Sequence, residues 1–222
     1  MIGMNNVRNV YYIDSSIAVG PYKASKMRLP KKTVWSEIMK PTRKERRIKR
    51  RTAYSCDFLD VYEDDVVLPD DRESKRVVVS HIGAASVLPI TKEGEVVLVR
   101  QYRYAADYDS LEIPAGKKDH PDEDGLECAK RELAEETHLQ GGSFTYLHTI
   151  YSAIGFSDEA IEIYVAKDAV KMEGEVATDP DEFIDIETHP LKEAIAMAKD
   201  GRIRDSKTVI ALLMIESGGL DA

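Results

Sequence analysis

The chain has 222 residues, 43% of them hydrophobic and 32% charged, enough apolar material for one large domain or a domain with an appendage. This composition excludes a disordered chain, a collagen-like chain and a disulfide-stapled mini-protein, and no apolar run approaches the roughly 18–20 residues of a bilayer-spanning helix. The net charge of −9 divides unevenly: residues 1–52 hold 14 Lys or Arg against Asp14, Glu37 and Glu45, a sum of +11, while the remainder carries 17 basic and 37 acidic groups, a sum of −20.

So acidic a body is a poor nucleic-acid binder by bulk electrostatics. Its acids call for another purpose, and metal ligation is the first to consider. Cys56 and Cys128 belong to no C-x-x-C pair, which leaves a zinc knuckle or dithiol redox site without support and makes reduced thiols the expectation. Residues 1–30 contain no apolar signal-peptide core, so a cytoplasmic location is expected.

In chain order, residues 1–52 read as a basic N-terminal extension. Within it a short helix is predicted over 33–40, capped by Thr33 and stopped by Pro41. Residues 40–51 include eight basic side chains in twelve and read as a solvated basic arm. Nucleic-acid contact is the alternative, but the stretch has no aromatic residue on which bases could stack. Residues 53–82 read as N-terminal strands and a dimerisation region: one or two strands over 58–68, a Pro69-Asp70-Asp71 turn, and a return strand over 75–79. Further strands are predicted over 84–90, 96–102, 111–113, 144–151, 160–166 and 183–187. Helices are predicted over 124–137, 190–200 (stopped by Gly201) and 205–216. A mixed sheet with helices on its faces, an α/β (α+β) arrangement, accommodates this order.

The first of these helices carries Arg131-Glu132-Leu133-Ala134-Glu135-Glu136. Glu132 lies three residues from Glu135 and four from Glu136, so the three carboxylates project from one side and repel. No lysine follows at i+4 from Glu132 or Glu135 to relieve them. Hard oxygen donors so grouped suit Mg²⁺ or Mn²⁺; a solvated acidic surface is the other reading of the helix alone.

The segment resembles the Nudix box, G-x5-E-x7-R-E-U-x-E-E-x-G-U with U a bulky aliphatic residue. Here it reads Gly116, Glu123, Arg131, Glu132, Leu133, Glu135, Glu136, His138 and Leu139. Every specified position from Glu123 to Glu136 matches. Six residues instead of five separate Gly116 from Glu123, and His138 stands where the family has glycine. Lengthening a loop costs little entropy, and His tolerates a left-handed helix end better than a β-branched residue does. Beyond the box, Leu111-Glu112-Ile113-Pro114-Ala115-Gly116-Lys117, Gln101-Tyr102-Arg103, Ser157-Asp158-Glu159 and residues 203–213 resemble segments of ADP-ribose pyrophosphatases in that family.

That resemblance implies a Nudix fold over residues 83–222, with a mixed β-sheet sandwiched between helices, and Mg²⁺-dependent hydrolysis of ADP-ribose to AMP and ribose 5-phosphate, with Mn²⁺ as an alternative cation. It implies metal ligation by Glu132, Glu135, Glu136 and the carbonyl of Ala115. Glu159 is expected as general base, with Glu135 and Arg131 also in the catalytic set, Arg131 bracing the carboxylates. Arg103, Glu112, Gly116 and Arg76 are expected to bind substrate, and Trp35, Tyr102, Tyr104 and Tyr108 are candidates for stacking adenine. A homodimer is expected, and no membrane partner. Other nucleotide sugars or dinucleotides are the alternative substrates; a non-catalytic module that binds ADP-ribose or nucleic acid is the alternative of another class.

Overall fold

The computed structural model describes residues 43–173 and 183–218. The helix predicted over 33–40, and Trp35 with it, lies outside them. The described residues from Lys44 onward belong to one compact unit.

Three strands, β1 (Arg46–Ser55), β2 (Leu59–Val67) and β3 (Glu73–His81), make an antiparallel sheet in that order. The basic-arm reading of residues 40–51 requires correction over its second half, because residues 46–51 are solvent-exposed, as expected, but paired as the start of β1. Low β-propensity and the absence of an apolar alternation conceal the strand in the sequence. What holds it is across the ladder: Arg50 makes two hydrogen bonds to Asp64 at 2.8 and 2.7 Å, Arg51 reaches Glu63 at 3.1 Å, and Lys75 of β3 reaches Glu63 and Asp65. Cross-strand pairs of opposite charge stabilise a sheet, and the Arg50 guanidinium also lies 4.0 Å from the Tyr62 ring centroid. The expected turn after β2 is present, with Asp71 in the left-handed region at φ 65°.

The second sheet has seven strands, joined by five antiparallel pairings and one parallel pairing. Its main order is β12 (Asp185–Pro190), β5 (Glu95–Arg103), β4 (Ala84–Ile90), β10 (Ala160–Lys167) and β9 (Ser143–Tyr151). Two short strands join its middle: β6 (Tyr108–Glu112) pairs with β5, and β7 (Ala115–Lys117) pairs with β4. β4 and β10 run parallel, which makes the sheet mixed as predicted. A two-stranded ladder of β8 (Leu139–Gln140) and β11 (Val170–Lys171) lies outside it. Neither of these strands, nor β7, is predicted, since two or three residues carry no usable period.

Alternate residues of the central strands face two cores, as a period of two requires. Ala85 and Val87 pack with Cys128, Ala129 and Leu133 of helix α1 (Gly125–Thr137). Leu88, Leu98, Ile163 and Val165 pack with Met197 of α2 (Leu191–Asp200) and Leu212 of α3 (Ser206–Glu216). Each such fully buried aliphatic contributes about 1.5–3 kcal/mol. The two cores on opposite faces confirm the predicted sandwich. Cys128 is a reduced, buried thiol whose pKa burial pushes up to about 12.

Capping explains the helix ends. Asp124 accepts hydrogen bonds from the amides of Leu126 and Glu127, and Asp205 from that of Thr208. Gly201 ends α2 at φ 83°, and His138 ends α1 at φ 56°, its amide donating to the Ala134 carbonyl at 2.9 Å. A left-handed conformation costs a residue with a Cβ about 1–2 kcal/mol, part of which glycine recovers. His138→Gly is therefore expected to raise stability by about 0.5–1 kcal/mol, read as a higher urea midpoint at unchanged slope. A lower midpoint would contradict that account of the helix end.

Candidate active site

Two short backbone devices build the floor of the site. β7 lies against β4 in the register Ser86 with Ala115 and Ala85 with Gly116, and the Val87 amide donates to the Pro114 carbonyl at 2.9 Å. On the other side, the buried stripe Ala129–Leu133 fixes the rotation of α1 about its axis. Its acids consequently lie over β7.

Glu132 and Glu136 are buried at 8% and 6% exposure. The Ala115 amide donates to Glu136 Oε2 at 3.1 Å. The Glu132 carboxylate rests directly on Gly116, where a Cβ would come within 2.1 Å of it. No residue but glycine leaves it that space.

The repulsion expected among the three acids is relieved by Arg131, not by a lysine one turn later. Its Nη1 donates to Glu132 Oε1 at 2.6 Å and Glu135 Oε2 at 3.2 Å; Nη2 reaches the Lys117 carbonyl at 3.1 Å and Glu123 at 3.4 Å. Burial disfavours the Arg131 charge, but the Glu132 and Glu123 carboxylates outweigh it and raise the pKa. Glu123 in turn accepts the Asp119 amide at 2.7 Å, which gathers up the lengthened loop. The lone spacing departure in the motif is absorbed there.

A second group surrounds Arg103 at the end of β5. Its Nε and Nη2 make a bidentate pair with Glu112, both at 2.8 Å. Glu112 is 3% exposed and also accepts the Nζ of Lys207, itself 6% exposed. Burial would raise the Glu112 pKa, yet Arg103 and Lys207 hold it down at about 2. A hydrogen bond from Arg103 to Glu112 raises the arginine's pKa, and the field of Glu136 adds to it. Arg103 therefore stands within electrostatic reach of the α1 acids.

Glu159 belongs to a third group, on the loop between β9 and β10. The Ser152 hydroxyl donates to its Oε2, and His81 Nδ1 lies 3.7 Å from its Oε1. The same nitrogen accepts the Gly83 amide at 3.1 Å. The loop is strapped to β3: Val79 exchanges backbone hydrogen bonds with Phe156 and Asp158, and Asp158 accepts the Ser80 hydroxyl and the His81 amide.

Of the predicted site residues, Ala115, Gly116, Arg131, Glu132, Glu135 and Glu136 thus form one contact set, with Arg103 and Glu112 beside it. Arg76 does not join them and pairs with Glu45 at 2.6 Å on the three-stranded sheet. Tyr102 and Tyr104 are exposed, and Tyr108 faces Arg204 at 5.8 Å. Lys207 and Asp205 escape prediction. A lysine in the first turn of a helix opposes the helix dipole, and that mismatch is the signal that an acid must lie opposite it.

The donor chemistry fits a hard divalent cation: carboxylates of Glu132, Glu136 and the half-exposed Glu135, with a backbone carbonyl at Ala115. Among the described residues no three His, Cys, Asp or Glu side chains already converge as a metal cage, since Arg131 draws Glu132 and Glu135 to itself.

The NUDIX domain family model matches residues 80–212. Over 172 residues the chain is 41% identical to a methanol dehydrogenase activator of Bacillus methanolicus and 33% identical to an ADP-ribose pyrophosphatase of Bacillus subtilis (strain 168). Each match covers 78% of this chain and 92% of the relative. A GDP-mannose pyrophosphatase of Citrobacter koseri is 31% identical over 154 residues, 66% of this chain and 80% of the relative. The fold matches a crystal structure of an ADP compounds hydrolase with TM-score 0.66 at 22% identity, covering 78% of this chain and 93% of that one.

Proposed function

The chain belongs to the NUDIX domain family, and from that premise we propose that it hydrolyses the diphosphate of ADP-ribose to AMP and ribose 5-phosphate with Mg²⁺, or Mn²⁺ in its place. It is a Nudix pyrophosphohydrolase related to ADP-ribose pyrophosphatases. The observation that carries the reading is the seat of Glu132 and Glu136 over Ala115–Gly116, with the Arg103 guanidinium in the field of Glu136.

Glu132, Glu136 and Glu135, with the Ala115 carbonyl, would hold the cation. When bound, it supplies neutralisation of the charge that grows on the diphosphate oxygens as the bond breaks. The chain's own residues do the rest. Arg131 keeps the carboxylates spaced and oriented. Arg103 spends two of its five N–H groups on Glu112, which leaves three to bind phosphate oxygens. Water attacks one phosphorus, the bridging P–O bond breaks, and the water's proton passes to Glu159, the proposed base. Ser152 orients that carboxylate through Oε2.

The −20 body supports this use of its acids, and a homodimer through the three-stranded sheet belongs to the same proposal. All ten residues of β1 are exposed, Ile48 and Tyr54 among them, on an edge strand that invites a partner. No helix among the described residues is long and apolar enough to cross a membrane, and a cytoplasmic location is part of the proposal. A second reading, activation of a methanol dehydrogenase, rests on the 41% identity to a protein so named.

Comparing kcat/KM on ADP-ribose, GDP-mannose and a dinucleoside diphosphate tests the substrate. ADP-ribose is expected to lead by about tenfold or more, the scale on which pocket contacts discriminate. A GDP-mannose lead of that size would move the chain to the other substrate class.

A further inference from the structure

The N-terminal turn of α3 does more than begin a helix. Asp205 caps it through Thr208, and the Thr208 hydroxyl, donating to Asp205, accepts the Ile113 amide at 2.8 Å. Ile113 sits two residues before Ala115. Between them, Lys207 reaches Glu112 and, at 3.1 Å, Asp205. Asp205, Lys207 and Thr208, well C-terminal to the Nudix box and in no pattern with it, thereby hold both Glu112 and the segment that leads into the box.

Charge counting gives this contact a purpose. Glu112 and Arg103 alone would form a neutral pair, buried on the carboxylate side, and the guanidinium would offer an incoming diphosphate little net attraction. Lys207 gives Glu112 a second cation, and Asp205, 3.1 Å from Lys207, brings the four groups to a net charge of zero. What Lys207 adds is local: it satisfies the carboxylate from the protein interior, so Glu112 does not depend on Arg103 alone and the arginine keeps three donors for a ligand. The arginine side chain is 44% exposed, the lysine 7%; only the former can meet a ligand.

We propose that Lys207 is a positioning residue for diphosphate binding: anchored by Asp205, it clamps Glu112 from within and shares its charge, so that Arg103 faces the substrate oriented and with its remaining donors free. The inference rests on the reading of Arg103 as the phosphate ligand and extends it to a residue that touches no substrate. The low Glu112 pKa, held there by Arg103 and Lys207 against burial, accords with a carboxylate that two cations share.

Binding of ADP-ribose, measured by calorimetry in the presence of Ca²⁺ so that turnover does not intrude, provides the test. Lys207→Met is expected to weaken affinity about tenfold, the size of a lost charge-assisted contact, with Lys207→Arg keeping most of it. In turnover assays the loss should fall on KM with kcat within about threefold, as for binding lost equally from ground and transition states. The decisive comparison uses Glu112→Gln as background, where no carboxylate charge remains to neutralise. There, adding Lys207→Met should change affinity by less than about twofold, because the two sites are coupled. This double variant removes both buried charges together and stays informative even if Lys207→Met alone fails to fold. An equal loss in both backgrounds overturns the proposal, as does wild-type affinity in a folded Lys207→Met. Arg103→Ala separates the two levels: if it binds as wild type, the Arg103 reading itself fails; if it binds weakly while Lys207→Met does not, the inference alone fails.

Discussion

Glu136→Gln is expected to lower ADP-ribose hydrolysis about a thousandfold, the loss that follows when one charge-stabilising group of a preorganised site is removed. The substitution is nearly isosteric. Glutamine can still accept the Ala115 amide through its carbonyl oxygen, so β7 keeps its anchor to α1. What disappears is a buried negative charge, and with it a hard anionic ligand for the cation. A melting temperature near that of the wild type alongside the lost rate would assign the effect to chemistry. Full activity in a folded variant would remove Glu136 from the metal set.

Gly116→Ala should separate activity from stability even more sharply. Gly116 does not lie in the left-handed backbone region, so alanine meets no conformational penalty there. Its new methyl group would collide with the Glu132 carboxylate, which lies about where the methyl must go. The obstacle is the far end of a flexible side chain and swings away at small cost, within about 1 kcal/mol. Activity is another matter, since a displacement of about 1 Å in a positioned group can cost a hundredfold. The expected result is a rate down by that factor with the urea midpoint nearly unmoved. A variant that retains its rate would show that Glu132 need not rest on Gly116.

Much of the frame was legible because its signals are local. Asp124 and Asp205 mark helix starts with side chains that cap their own amides, Gly201 marks a stop, and strands such as β4 and β10 are mostly apolar. The carboxylate spacing on α1 was equally readable, because a helix turns a separation of three or four residues into a shared face. The parts that escaped depend on partners distant in the chain. β1 is a strand because acids some 14 residues later lie beside its arginines. Lys207 matters through Glu112, which is 95 residues away. Arg131 was expected to brace the acids, but that it would answer their repulsion could not be seen from residues counted only toward the C-terminus.

The charge division takes a different form in consequence. Part of the basic N-terminal excess is matched within the three-stranded sheet, where Arg50 and Arg51 meet Asp64 and Glu63. The acids of α1 are held separately, by Arg131 and by the backbone amide of Ala115. One sum of charges therefore covers two unrelated local balances, a structural ladder and a site prepared for a cation.

Product analysis on ADP-ribose asks whether this site performs the proposed hydrolysis. The purified chain, supplied with Mg²⁺, is expected to release AMP and ribose 5-phosphate in equal amounts; excess chelator should stop the reaction and added Mg²⁺ or Mn²⁺ restore it. Release of neither monophosphate, or release that continues unchanged under chelation, would contradict the account.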